Sequence, residues 1–239
     1  MATYYNKGIG GLYIMKWVNK VQRKLGYNFG IPNLMIFITA INVLVYILDQ
    51  AGAGSGFYIS NYLYFSRALI FQGQVWRLIT FIFVPTSSSV LSLILTLYFS
   101  CIVGYYLERE WSVCGFNLFY FIGMLGTIIG GLVTGYATAE YLGLSMFFAF
   151  AILHPNFQML LFFIIPIKIK YLAYINLAFY IISLITESWP GRVSIIVSLL
   201  NLILFFGSDY TGKIKNFMHH RKQRNNFRRE MRESNNRWR

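Results

Sequence analysis

Few side chains in this chain could do chemistry. The histidines are His154, His219 and His220, the cysteines are Cys101 and Cys114, and there are 8 acids. Two cysteines, one inside an apolar run and one just after it, make neither a disulfide framework nor a metal site. No metal or other cofactor is expected. His154 stands in Leu-His-Pro-Asn, which reads as a helix end where the C-terminal dipole and the headgroups favour it. His219 and His220 read as solvated. Glu108, at the end of one apolar run, is the only acid those runs carry. That speaks against a transporter or channel subunit, because carriers of ions or protons bury ionisable residues. Asn42, Asn176, Ser198 and Asn201 lie within such runs. They suit hydrogen bonds between helices, worth about 0.6 to 2 kcal/mol each, or the lining of a groove.

The elements that carry these residues follow from composition. The 239 residues are 56% hydrophobic and 19% aromatic but 12% charged, with a mean hydropathy of +0.52. That charged share is about half that of a soluble domain, so the chain belongs in a bilayer. A span needs roughly 20 apolar residues, and six runs qualify or come close: 31–48, 89–107, 115–136, 141–153, 171–185 and 193–207. The fourth is short and suits a helix buried among its neighbours. The expected fold is an all-α polytopic membrane protein of six helices with a long membrane-embedded first loop.

Charge sets the expected sidedness. The net charge is +13. Residues 1–30 carry Lys7, Lys16, Lys20, Arg23 and Lys24 without an acid, and the tail after Tyr210 carries ten Lys or Arg. With Arg109, Lys168 and Lys170, 18 of the 21 basic residues fall on one side, leaving Arg67, Arg77 and Arg192 on the other. By the positive-inside rule both termini are then cytoplasmic. Residues 1–30 lack an apolar core with a cleavage site, so the first span is expected to be its own insertion signal.

Three segments divide the chain: a basic amphipathic N-terminal segment (1–30), the membrane domain (31–207) and a basic tail (208–239). In the first, Leu12, Met15, Val18 and Val21 to Leu25 recur at helical spacing, which fits an interfacial anchor on the inner leaflet; a partner-docking helix is the alternative. The loop after the first span is too aromatic for a solvated linker. Loops of that length without a role are uncommon, and Phe57, Tyr62, Tyr64 and Trp76 suit headgroup depth. In the third span Gly126 and Gly130, and Gly131 and Gly135, stand four apart and allow close helix approach. Packing against the fourth span is expected in preference to an oligomer contact. The tail, with a net charge of +8 after Tyr210, is expected on anionic lipid headgroups; nucleic acid is a less favoured partner.

Five segments fall in order along the spans: Gln74-Val-Trp76-Arg77-Leu-Ile-Thr80, Gly104-Tyr-Tyr-Leu-Glu108, Gly123-Met-Leu-Gly126, Tyr141-Leu-Gly143-Leu-Ser145 and Pro166-Ile-Lys168-Ile-Lys170. Over about residues 31–207 this set resembles the rhomboid and Derlin superfamily, with the stretch from Tyr62 to Pro85 especially Derlin-like. Active rhomboids are intramembrane serine proteases. The resemblance implies a serine nucleophile at Ser145, a histidine base on the sixth span, and a histidine and an asparagine on the second span at the oxyanion. By the same alignment the base is replaced by Ser198, and the oxyanion pair by Ser92 and Thr96. Met146 stands where the family has glycine after the serine.

A serine hydroxyl needs a base within reach. His154 lies nine residues beyond Ser145, about 13 Å along a helix, and Lys168 and Lys170 belong at the far end of the bundle. Ser145 then reads as a membrane-helix serine bonded to its own backbone. Trp76 and Arg77 read either as an interfacial anchor, with Arg77 reaching phosphate, or as a specific structural or substrate-contact pair. The resemblance implies an inactive member that binds transmembrane helices of client proteins in a bacterial plasma membrane. An active protease with an unrecognised base, or an endoplasmic-reticulum Derlin, is the alternative.

Overall fold

The computed structural model describes residues 16–87, 89–161 and 165–206. The basic tail with His219 and His220, and the start of the N-terminal amphipathic stretch with Leu12 and Met15, lie outside these residues. The described chain is mostly helical. Four helices are long and apolar enough to cross a membrane: Leu34–Ser55, Val90–Thr134, Ile169–Thr186 and Trp189–Phe206.

In chain order the helices are α1 (Lys16–Leu25), α2 (Leu34–Gly52), the short α3 (Ser60–Leu63), α4 (Arg67–Phe71) and α5 (Arg77–Thr80), then α6 (Val90–Thr134), α7 (Glu140–Leu153), α8 (Ile169–Thr186) and α9 (Trp189–Phe206). Helix α2 begins three residues later than the apolar run, because Asn33 is left-handed (φ 53°) and cannot continue a helix backwards. The reading as wholly helical needs one correction. Strands β1 (Gln158–Leu161) and β2 (Ile165–Lys168) form an antiparallel hairpin between α7 and α8, with Gln158 opposite Lys168.

Helix α6 holds the main surprise. Its 45 residues run unbroken except at Ser112, where φ is 69° and ψ 167°. On a straight helix Gly104 and Phe116 would be about 18 Å apart. Instead a Cβ at Gly104 would lie 3.6 Å from the Phe116 ring. The chain therefore folds back at one residue, and the loop expected between the second and third apolar runs does not exist.

Such a turn strands backbone groups that a helix would pair, and Trp111 O, Cys114 N and Gly115 N find substitutes. Gln22 of α1 donates from Nε2 to Trp111 O (2.8 Å) and to Ser112 Oγ (3.2 Å). Cys114 N donates to Tyr27 O (3.0 Å), and Ser112 Oγ accepts from Gly115 N at 3.5 Å, as an N-cap serine does. Asn117 donates to Ile31 O (2.9 Å) and Val113 O (2.8 Å) and accepts from Ile31 N (3.1 Å). Helix α1 is thus docked on the turn through Val18 and Gln22, 0% and 1% exposed, and that face is not free to lie on lipid. Gln22→Ala should leave Trp111 O without its donor and cost about 1–3 kcal/mol, read as a lower denaturation midpoint in detergent; Lys20→Ala, on the exposed face, should leave the midpoint unchanged.

Glycines set how closely the bundle packs. Gly104 lets Met35 of α2 sit against α6. One turn on, both carboxylate oxygens of Glu108 accept Asn33 N at 3.0 Å. The pair Gly104 and Glu108 therefore fixes where α2 starts against α6. Gly126 and Gly130 of the third apolar run pack against α9, which corrects the expectation of the fourth span for this pair, whereas Gly123 meets Leu142 of α7 as well as Asn201 of α9. Running antiparallel, Val193 and Val197 meet Gly130, Val197 meets Gly126, Asn201 meets Gly123 and Phe205 packs on Phe119. Gly131 is closed in by Phe65 and Ala137. Of the four long helices α8 is the least covered, with Ile169 at its start as its one buried residue.

Candidate functional site

The first loop is a folded element built around Arg77. The guanidinium is buried, 3% exposed. It donates from Nη1 to Asn61 O (3.0 Å) and Tyr64 O (2.9 Å) and from Nε to Gln74 Oε1 (2.8 Å), and it lies 4.9 Å from the Tyr64 ring centre. This removes the headgroup-anchor reading for Arg77, since its donors are used inside the loop. Trp76 is half-exposed and donates from Nε1 to Tyr62 O (3.2 Å). Thr80 Oγ1 donates to Leu63 O (3.0 Å), and Asn42 of α2 donates to Ile82 O (3.2 Å). These bonds hold 61–82 against α2.

Helix α7 carries the aligned nucleophile. Its sequence is apolar on all sides, and residues 144–151 are buried throughout, so it is a central helix and not a surface one. Ser145, 1% exposed, donates its hydroxyl to Leu142 O at 2.8 Å. Its other polar neighbour is Asn201 of α9, whose Nδ2 approaches Ser145 Oγ at 3.4 Å. An amide N–H is a donor and cannot take the serine proton. Ser198, the position where the resemblance implies a base, is buried, and its Oγ has no hydrogen-bond partner among the described residues, as is true of Asn201 Oδ1.

The remaining aligned residues do not converge. Ser92 and Thr96 are exposed on α6, and neither has a hydrogen bond to Ser145. His154 closes α7, with its N donating to Phe150 O (2.8 Å), its ring packed on Tyr106 and Phe150, and its Nε2 3.6 Å from Glu110 Oε1. That is the helix-end place its sequence context implied. Lys170 lies over the Tyr171 ring at 5.2 Å, at the start of α8. Among the described residues no imidazole, carboxylate or amine bonds to Ser145, and no group of His, Cys, Asp and Glu could hold a metal.

A cavity of ≈ 390 Å³ lies on the other side of α7, between α2, the first half of α6, α7 and α8. Gly143, Leu144 and Met146 line it, as does Thr96, but Ser145 between them does not. A Cβ on Gly143 would meet nothing within 4 Å, so this glycine leaves open space where Gly126 and Gly131 close it. Met146 faces the cavity and does not crowd the serine. Asn176 also lines the cavity, bonded to Leu172 O (3.0 Å) on its own helix.

Sequence reasoning missed Gln22, Ser112, Asn117 and Glu140. The first three bond to residues about 90 positions away, and no local pattern announces them. Glu140 could have been found as a lone carboxylate at the start of an apolar helix. Comparison of the chain with family models, with curated proteins and with solved structures finds no match.

Proposed function

We propose that this chain is a six-span, rhomboid-like pseudoprotease of a bacterial plasma membrane, with both termini cytoplasmic, that binds transmembrane segments of client membrane proteins without cleaving them. The observation that carries the reading is Ser145: a hydroxyl sealed between helices, bonded to its own backbone, with an amide where a base would stand. Six spans result if the fold-back at Ser112 divides α6 into two crossings and α7 forms a short one. The cavity beside sparsely covered α8 supplies a concave, mostly apolar opening into which a side chain of a client helix lying along α8 can reach. Its lining runs from Met35 to Thr86 and from Thr96 to Tyr180, which fits a role for the first loop in shaping it. Control of client stability or trafficking would follow from binding alone.

The test is chemical. The purified protein, incubated with a fluorophosphonate probe and a single-span protein substrate, should show neither labelling nor cleavage, and Ser145→Ala should be indistinguishable from the parent chain. Labelling at Ser145, or cleavage lost in Ser145→Ala, would sink the pseudoprotease reading in favour of an active protease. Client binding is tested separately, by photo-crosslinkers placed at Gly143 and at Leu200 on the exposed side of α9. Membrane helices should be captured at the first position and not the second.

A further inference from the structure

The cavity is apolar over most of its wall; besides Thr39, Asn42, Thr86, Thr96 and Ser100, oxygen atoms line it where α7 meets α8, the Tyr180 ring packing on Tyr141 next to Glu140. Glu140 opens α7, while Asn176 and Tyr180 stand one turn apart on α8, and all three line the cavity. Asn176 uses its Nδ2 on Leu172 O, and its amide oxygen accepts nothing among the described residues. The Glu140 carboxylate and the Tyr180 hydroxyl likewise have no hydrogen-bond or ion-pair partner among the described residues; the single ion pair there is that of His154 with Glu110.

Three arginines of the described residues are committed elsewhere. Arg67 donates to Leu132 O (3.2 Å) and Val133 O (3.1 Å) at the end of α6. Arg192 donates to Ile185 O (2.7 Å) and Glu187 O (2.9 Å) at the end of α8. Arg77 is enclosed in the first loop. Each guanidinium caps backbone carbonyls, and none neutralises Glu140. A carboxylate, an amide oxygen and a hydroxyl on one cavity wall form a set of acceptors that suits an N–H-rich cation. The apolar remainder of the wall, with Met35, Ile38, Leu144 and Phe147, suits the methylene stem of such a side chain. The volume has room for one long side chain and not for a helix.

We propose that this end of the cavity receives the ammonium or guanidinium group of a lysine or arginine carried by the client helix, so that the protein selects transmembrane segments with a basic residue at the depth of Glu140. The inference rests on the client-binding reading and names its client class. A basic residue within a span is costly in hydrocarbon, so a chain that shields one recognises helices that have not found their own partner.

The experiment uses the full chain in phosphatidylcholine nanodiscs and fluorescent single-span polyleucine peptides. One peptide is all leucine, others carry a single lysine at successive depths, and another carries acetyl-lysine. At one depth the lysine peptide should bind about tenfold tighter than the all-leucine peptide, the order of one charge-assisted hydrogen bond. Acetylation should abolish the gain without any change to the protein. Glu140→Gln should reduce the lysine-to-leucine affinity ratio, measured within the variant, to less than about twofold. Equal binding of lysine and leucine peptides, or a lysine preference that persists in Glu140→Gln, overturns the inference and leaves client binding standing. A preference erased by adding phosphatidylethanolamine overturns it in favour of a lipid amine. Failure of every peptide to bind overturns both readings.

Discussion

Arg77→Ala is expected to lower the unfolding free energy by about 3 kcal/mol, because hydrogen bonds to a charged group are worth roughly 1.5–3 kcal/mol each and truncation leaves buried acceptors unmet. Three such bonds are lost together, to Asn61 O, Tyr64 O and Gln74 Oε1. Because they share one guanidinium, their effects will not sum. Arg77→Lys should recover less than half of the loss, since an ammonium keeps the charge but cannot reach two carbonyls and an amide oxygen from one planar fork. The measurement is the denaturation midpoint in detergent micelles, paired with protease susceptibility of residues 53–87. A loss under about 0.5 kcal/mol, the range of ordinary surface substitutions, would return Arg77 to the role of a headgroup anchor. Because Ile82, Val84 and Thr86 line the cavity, a loosened loop should also weaken the client binding proposed for it.

Gly131→Val has the second large expected effect. A Cβ there would lie 2.7 Å from both the Ala137 Cβ and the Phe65 ring. Neither neighbour is the free end of a flexible side chain, so backbone must move. Overpacking of this kind costs about 1–3 kcal/mol, and valine's branch places it at or above the upper end. Gly143→Ala is the matched control. With nothing within 4 Å of the added carbon, it should be neutral or gain up to about 1 kcal/mol from helix propensity. A drop for Gly143→Ala as large as that for Gly131→Val would mean that close packing does not distinguish these two glycines. If Gly143→Ala is instead stable but binds clients more weakly, the open space beside it is used for binding.

The apolar runs were readable in the sequence because a helix in hydrocarbon must be apolar along its whole length, and α7, α8 and α9 fall within a few residues of where composition put them. Ser145 bonding to its own helix was equally legible, since a serine with no neighbour of its own has only the backbone to use. The partners of the glycines were not legible. Gly126 and Gly130 announce a close contact, but whether α7 or α9 makes it depends on the direction in which the third run faces, and composition is silent on direction. The turn at Ser112 was invisible for another reason. Glycine or proline ordinarily marks such a point, and here a serine holds the positive φ, while Gly115, three residues on, only leaves room for the Gln22 amide that bonds Trp111 O. Arg77 was misjudged because an arginine next to a tryptophan has the same sequence signature whether it faces phosphate or carbonyls.

The turn at Ser112 also has a place in time. Gln22 precedes Trp111 by 89 residues and Ile31 precedes Asn117 by 86, so the N-terminal partners of the turn leave the ribosome well before the turn itself. The reversal has no preference of its own that would form it early, and the helix-forming sequence on either side would run straight through it. The reversal therefore depends on partners supplied by the N-terminal segment, so a chain lacking residues 16–31 would lose the hydrogen bonds of Gln22, Tyr27 and Ile31 that hold it.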